Sequence, residues 1–136
     1  MYAAFDVSTS ALVAQRHRLN AISSNLANMS TTRNEQGELQ PYQPRYVTFQ
    51  TDDAITTSGG GHGVKVAATE VADVAPRLKY EPNHPDANAE GYVAYPNIDM
   101  TLEFVDALEA TRAYEANIGA LEITKDLSQQ TLRILA

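Results

Sequence analysis

An α+β fold is predicted, with long N- and C-terminal helices packed as a coiled-coil pair around a small central β element. Three observations predict it. Apolar residues recur at heptad spacing along the first thirty or so positions. A second helical pattern of about 36 residues fills the C-terminal end. Prolines, glycines and short β-branched runs occupy the middle. The expected organisation is one domain in three parts: an N-terminal helix over 1–32, a loop and small β region over 33–97, and a C-terminal helix over 98–136.

The first helix is expected over residues 2–30. Phe5, Leu12, Leu19 and Leu26 recur every seven residues, and Ser8, Gln15, Ile22 and Met29 recur at the same interval, offset by three. This is a heptad seam, stronger in its C-terminal half. Ser23, Ser24, Asn25, Asn28, Ser30, Thr31, Thr32 and Asn34 then compete for backbone hydrogen bonds and should end the helix. Arg16, His17 and Arg18 lie off the seam and read as a solvated basic face. Isolated helices are marginal in water, so this one needs a partner, and the obvious one is at the other end of the chain.

Pro41 and Pro44 exclude a helix across the next segment. Tyr46 to Phe49 reads as a short strand, and residues 56–63, TTSGGGHG, as a flexible loop. That loop lacks the Gly-Lys-Ser/Thr ending of a phosphate-binding loop, because Val64 separates Gly63 from Lys65. Val64, Val66 and Ala68 alternate as a half-buried strand, with Val71 and Val74 extending the pattern loosely. Leu78 to Tyr80 and Tyr92 to Tyr95 are two further short strands, separated by the turn-rich residues 81–91.

Asn97 or Asp99 is the expected N-cap of the second helix, which runs to about Ile134, some 54 Å at the standard rise. Acids crowd its first third, and Lys125 and Arg133 lie towards its end, as the helix dipole favours. One seam joins Phe104, Thr111, Ile118, Lys125 and Leu132 to Ala107, Tyr114, Leu121, Ser128 and Leu135. A second stripe comprises Leu102, Val105, Ala113, Ala116, Ala120, Ile123, Leu127 and Ile134. Two stripes require two partners. The first helix can cover one, and nothing else in the chain is long enough for the other, so a self- or hetero-assembling surface is expected.

Bulk properties agree with a thin core. The chain has 136 residues, of which 43% are hydrophobic, but 20 of those are alanine. Leu, Ile, Val and Phe make up about a fifth of the chain, near the compositional edge of disorder. A net charge of −7 argues against nucleic acid and anionic membrane surfaces as partners. No apolar run approaches a membrane span, and no basic n-region precedes an apolar block as in a cleaved secretory signal. Absence of cysteine excludes disulfides, thiolate metal sites and a cysteine nucleophile.

Catalytic patterns are also missing. His17, His62 and His84 have no metal-site spacing, no Gly-x-Ser-x-Gly elbow occurs, and the acids of the second helix read as solvated. His84, Asp86 and Glu90 form the one grouping that suggests a hard cation, without the spacing of a calcium hand. The residues themselves point to a non-enzymatic assembly module with no cofactor and no metal.

The run ALVAQRHRLNAISSNLAN, followed by Thr31 and Thr32, resembles the signature of the bacterial flagellar rod and hook protein family. The matching positions are Ala14, Gln15, Leu19, Asn25, Leu26, Ala27 and Asn28. Pro41-Tyr42, Arg45 to Phe49, Gly63 to Ala68, Tyr80 to Asp99 and Ala110 to Ile118 extend the likeness along the chain and narrow it to a proximal rod member. Met29-Ser30 departs from the small residues usual there. The resemblance implies a structural subunit of the basal-body rod, which crosses the periplasm, assembling helically to transmit torque from motor ring to hook. It implies unfolded export by the flagellar type III apparatus without signal cleavage. The implied partners are copies of itself, the other proximal and distal rod subunits and the rod-to-ring adaptor protein. Expected interface positions are Leu12, Leu19, Ile22, Asn25, Leu26 and Asn28 on the first helix, and Tyr114, Asn117, Ile118, Leu121 and Leu132 on the second. The competing readings are a sister rod protein, a cytosolic coiled-coil adaptor or chaperone forming a closed oligomer, and a cation-dependent enzyme built around His84, Asp86 and Glu90.

Overall fold

The computed structural model describes residues 2–135. Its elements are α1 (Tyr2–Ala27), β1 (Arg45–Thr56), β2 (His62–Val71), β3 (Arg77–Tyr80), β4 (Tyr92–Tyr95) and α2 (Met100–Leu135). The fold is α+β, with the two long helices packed together and two small antiparallel sheets between them in sequence. The helices run antiparallel: Asn25 meets Glu103 at one end, and Phe5 lies beside Ser128 and Leu132 at the other.

Local chemistry sets the helix ends. α1 stops three residues short of the expected end. Asn28 caps it by donating Nδ2 to the Ser24 carbonyl at 2.9 Å and accepting the Thr31 hydroxyl at 3.1 Å. Asp99, rather than Asn97, caps α2. Its Oδ1 accepts from the Thr101 N–H at 2.9 Å and the Leu102 N–H at 3.3 Å.

The β1–β2 hairpin packs against α1. Its first strand is much longer than the Tyr46–Phe49 core expected, because ladder hydrogen bonds extend it through polar residues that carry no apolar alternation. The glycine loop therefore shrinks to a tight turn. The Gly61 N–H donates to the Thr57 hydroxyl at 2.8 Å, and Gly60 adopts φ +81°. Near the turn end of the hairpin Ser10 accepts the Val64 N–H at 3.0 Å, tying β2 to α1.

The second sheet pairs β3 with β4, Tyr80 opposite Tyr92, with ring centroids 5.3 Å apart edge to face. Glu81 clamps it by accepting the Tyr95 hydroxyl at 2.6 Å and pairing with Lys79 at 2.6 Å.

The core is thin. Among the described residues its buried apolar side chains are Ala14, Ala21, Ile22, Val93, Pro96, Ile98 and Ala110, joined by one buried polar residue, Asn25. Along α2 only Ala110 is fully buried. The inward rows of α2 are Glu103, Ala110, Asn117, Thr124 and Ala107, Tyr114, Leu121, Ser128. The second row is the one expected. The first is displaced by one residue from the expected Phe104, Thr111, Ile118, Lys125, Leu132 row, which is exposed. Small and polar side chains let α2 approach α1 closely, whereas the bulkier row faces outward.

Candidate assembly interface

Asn25 is 3% exposed and joins three elements. Its Nδ2 donates to the Arg45 carbonyl at 2.8 Å, and its Oδ1 accepts the Arg45 N–H at 2.8 Å. The side-chain amide thus pairs with the backbone of β1 as a neighbouring strand would. The same Oδ1 accepts the Tyr42 hydroxyl at 3.2 Å, and Nδ2 also reaches both Glu103 oxygens at 3.3 Å. Burial pushes the Glu103 carboxyl above its ordinary value; the Asn25 hydrogen bond opposes this and the nearby Asp106 adds to it. Burial likewise raises the Tyr42 phenol.

About two turns back along α1, Arg18 donates to Glu109 at 3.4 Å and lies 3.7 Å from Asp106. The expected solvated basic face therefore holds for Arg16 and His17, which are exposed, but Arg18 points into the helix pair. Glu103 is a second correction. It is half-buried against Asn25 rather than solvated, because the inward row of α2 begins with it.

Asp86 ties the segment after α1 to the loop between β3 and β4. Its carboxylate accepts the Thr32 hydroxyl at 2.6 Å and the Arg33 Nε–H at 2.8 Å, and also pairs with Arg33 Nη2. Thr32 first, and then Arg33, hold the Asp86 carboxyl below the ordinary aspartate range. These bonds commit Asp86, one of the two acids in the His84, Asp86 and Glu90 grouping, to a structural clasp. Among the described residues no three His, Asp or Glu side chains group as metal ligands, and no helix is long and apolar enough to cross a membrane.

The expected interface residues fall into three groups. Ile22 and Asn25 are buried within the chain. Leu12, Leu19, Leu26, Asn28, Tyr114, Asn117 and Leu121 are half-buried along the helix pair. Ile118 and Leu132 are exposed, at 39% and 67%. Glu103, Arg18, Tyr42 and Arg45 were missed as parts of the junction. Their own types are ordinary surface types, and of the junction residues Asn25 alone stood among the expected interface positions.

The outer stripe of α2 stays uncovered. Leu102, Val105, Ile123, Leu127 and Ile134 are all more than half exposed. The chain's surface measures 9211 Å² at 14.8 kDa. A compact monomer of this mass exposes roughly 7,000 Å². The excess, on the order of 2,000 Å², is the area that stable protein interfaces bury. Both the apolar stripe and the excess surface are what a subunit presents to its neighbours.

Comparison with known proteins places this surface in context. A family model described as flagella basal body rod protein matches residues 5–33. A second, described as flagellar basal body rod FlgEFG protein C-terminal, matches residues 89–134. The chain is 45% identical to the flagellar basal-body rod protein FlgC of Bacillus subtilis, over 95% of this chain and 94% of that one. It is 42% identical to the FlgC of Salmonella typhimurium, over 96% and 94%. It is 34% identical to that of Borreliella burgdorferi, over 99% and 97%.

Proposed function

The chain belongs to the flagellar basal-body rod protein family, and we propose on that premise that it is a structural subunit of the proximal rod, assembling helically to transmit torque from motor ring to hook. The observation that carries this is the length of the likeness: it runs through both helices and the β region, so the whole chain shares the rod proteins' architecture. The uncovered α2 stripe supplies the second support, because a subunit in a shaft needs contact surface on several sides. The adaptor reading finds no support in these relatives.

The role is mechanical and uses no catalysis. Copies of itself and the other proximal and distal rod subunits are its neighbours, and the rod-to-ring adaptor protein meets it at the base. The flagellar type III apparatus exports it without cleavage of a signal, and it works where the rod crosses the periplasm. Contacts of this kind are heterologous and leave the assembly open, so that it grows as a helix. Of the eleven expected interface residues, Ile118 and Leu132 meet neighbours directly. Leu12, Leu19, Leu26, Asn28, Tyr114, Asn117 and Leu121 contribute from the rims of the helix pair. Ile22 and Asn25 hold that pair in the geometry the neighbours read.

Deleting the gene and imaging the cell envelope by cryo-electron tomography tests the proposal. Membrane rings with no rod or hook beyond them are expected. Intact flagella and normal swimming would overturn it.

A further inference from the structure

We propose that residues 77–95, the β3–β4 sheet with its connecting loop, form a hinged unit whose angle to the helix pair is set by one latch, the Asp86 carboxylate on Thr32 and Arg33. The inference concerns the chain itself and does not rest on the rod reading.

The unit stands apart from the rest of the fold. β3 pairs with β4, and among the described residues neither strand packs against a helix or against the β1–β2 hairpin. Among the described residues, every hydrogen bond and ion pair joining 77–95 to the rest of the chain ends on the Asp86 side chain. The unit's other bonds are internal, such as Tyr95 to Glu81 and the Tyr92 N–H to Asn88. Residues 73–76, which lead into β3, are all exposed and make no hydrogen bond among the described residues. Such a segment absorbs backbone rotation freely. At the other end β4 runs into Pro96 and Ile98, both buried, which makes that end the pivot. Val93 is the unit's one fully buried side chain among the described residues. Beside it a cleft of about 140 Å³ separates Thr32, Leu39 and Pro41 from Leu78 and Tyr92. The apolar seat is therefore incompletely filled and leaves room to turn.

Both halves of the latch are stiffly mounted. Asp86 sits in a turn where its own N–H donates to His84 Nδ1 at 3.0 Å and the Ala87 N–H donates to the His84 carbonyl at 3.0 Å. Opposite, the Thr31 hydroxyl donates to Asn28 at 3.1 Å and the Tyr42 N–H to the Thr31 carbonyl at 3.1 Å, which holds Thr32 and Arg33 at the end of α1. A carboxylate shared between a hydroxyl and a guanidinium fixes direction as well as distance. The Asp86 side chain is 8% exposed and that of Arg33 47%. Removing the carboxylate leaves a cation that water can solvate. Removing Thr32 and Arg33 instead leaves an enclosed acid, which turns towards water. Either change releases the angle while α1, α2 and the hairpin keep their own contacts. Leu78 and Tyr80, 61% and 62% exposed, ride on the unit, so the latch decides where this apolar surface is presented.

The chain has no native cysteine, so pairs of spin labels can report the angle by pulsed electron paramagnetic resonance. Arg16→Cys with Arg77→Cys spans α1 and β3. The control, Arg16→Cys with Ala67→Cys, spans α1 and β2, and all three positions are exposed. In the otherwise unchanged full-length chain both pairs should give a narrow distance distribution. Asp86→Ala should broaden the α1–β3 distribution about twofold or more and leave the control as it was. Thr32→Ala with Arg33→Gln, which breaks the latch from the other side, should do the same. An unchanged α1–β3 distribution in either variant would overturn the proposal, because the apolar seat alone would then hold the angle. Equal broadening of both pairs would also overturn it, since Asp86 would then support the whole fold. So would an α1–β3 distribution already broad with the latch intact.

Discussion

At the scale of single residues, Asn25 decides most. It offers both an amide donor and a carbonyl acceptor to the Arg45 backbone, a match that few side chains reproduce. Asn25→Ala leaves a buried N–H and C=O without partners, and should lower unfolding stability by about 1–3 kcal/mol, measured from urea midpoints. Asn25→Asp should cost more, since it loses the donor and sets a second carboxylate against Glu103. Asp86 and Glu81 make a pH prediction. Hydrogen bonds from Thr32 and then Arg33 lower the Asp86 carboxyl, and those from Lys79 and then Tyr95 lower that of Glu81. The unfolded chain therefore binds protons more readily at both sites. The stability they contribute is complete above the ordinary carboxylate range and is lost as pH falls through the lowered values. Glu103 runs the other way, because its raised carboxyl contributes most in acid and loses that contribution as pH rises through the raised value. Thermal melts from neutral to acid pH should show Thr32→Ala flattening the acid decline. Glu103→Gln should raise the neutral melting temperature, since Gln keeps an acceptor for Asn25 without a half-buried charge. Asn25 was legible in the sequence only as a helix-ending residue and an expected interface position. Its principal partner was not, because Arg45 contributes its backbone, which is the same in every residue.

At the scale of elements, both helices and the existence of a β region were legible from periodicity and proline placement. The α2 register was legible only in part. Hydrophobicity marks the face that some partner covers, and here the bulkiest rows are not those facing α1. Ala107, Ala110 and Thr124 face inward, while Ile123 and Leu127 are more than half exposed. Pattern alone cannot distinguish a covering element in the same chain from one in a neighbour. β1 was underestimated for a different reason: Gln50, Thr51, Asp52 and Thr56 pair in the ladder around an irregularity at 53–55, and the stretch is largely exposed, so no alternation marks it. A double substitution, Ile123→Ser with Leu127→Ser, should therefore leave monomer stability within about 0.5 kcal/mol per site and yet abolish swimming, read from urea denaturation and motility agar. Gly63→Ala tests the opposite kind of position. Its new Cβ would stand 2.8 Å from Ile55 Cβ and 3.2 Å from Ser10 Oγ, where β2 approaches α1. Overpacking there should cost about 1–3 kcal/mol by the same urea assay and weaken the Ser10–Val64 tie.

At the scale of the whole molecule, the balance between chain entropy and burial is decided outside the monomer. Helices of 26 and 36 residues are supported by seven buried apolar side chains among the described residues, only four of them on the helices. Ordering each residue costs about 1–2 kcal/mol in backbone entropy, and half-exposed leucines return little of it. The half of α2 beyond Gly119 has no fully buried residue and no ion pair to α1 among the described residues. That half should be ordered mainly by neighbours, whose binding adds stability in proportion to the logarithm of their concentration. Far-ultraviolet circular dichroism of the dilute full-length chain should report less helix than the 26 and 36 residues of α1 and α2 together. The deficit should shrink as concentration rises into the range of self-association. Hydrogen exchange should locate the missing protection at residues 120–135, with protection persisting around Asn25, Glu103 and Arg45. Full helix content with one cooperative melt at low micromolar concentration would mean that the helix pair is self-sufficient. The exposed α2 stripe would then be an addition to a finished fold, where the thin core makes it the completion of an unfinished one.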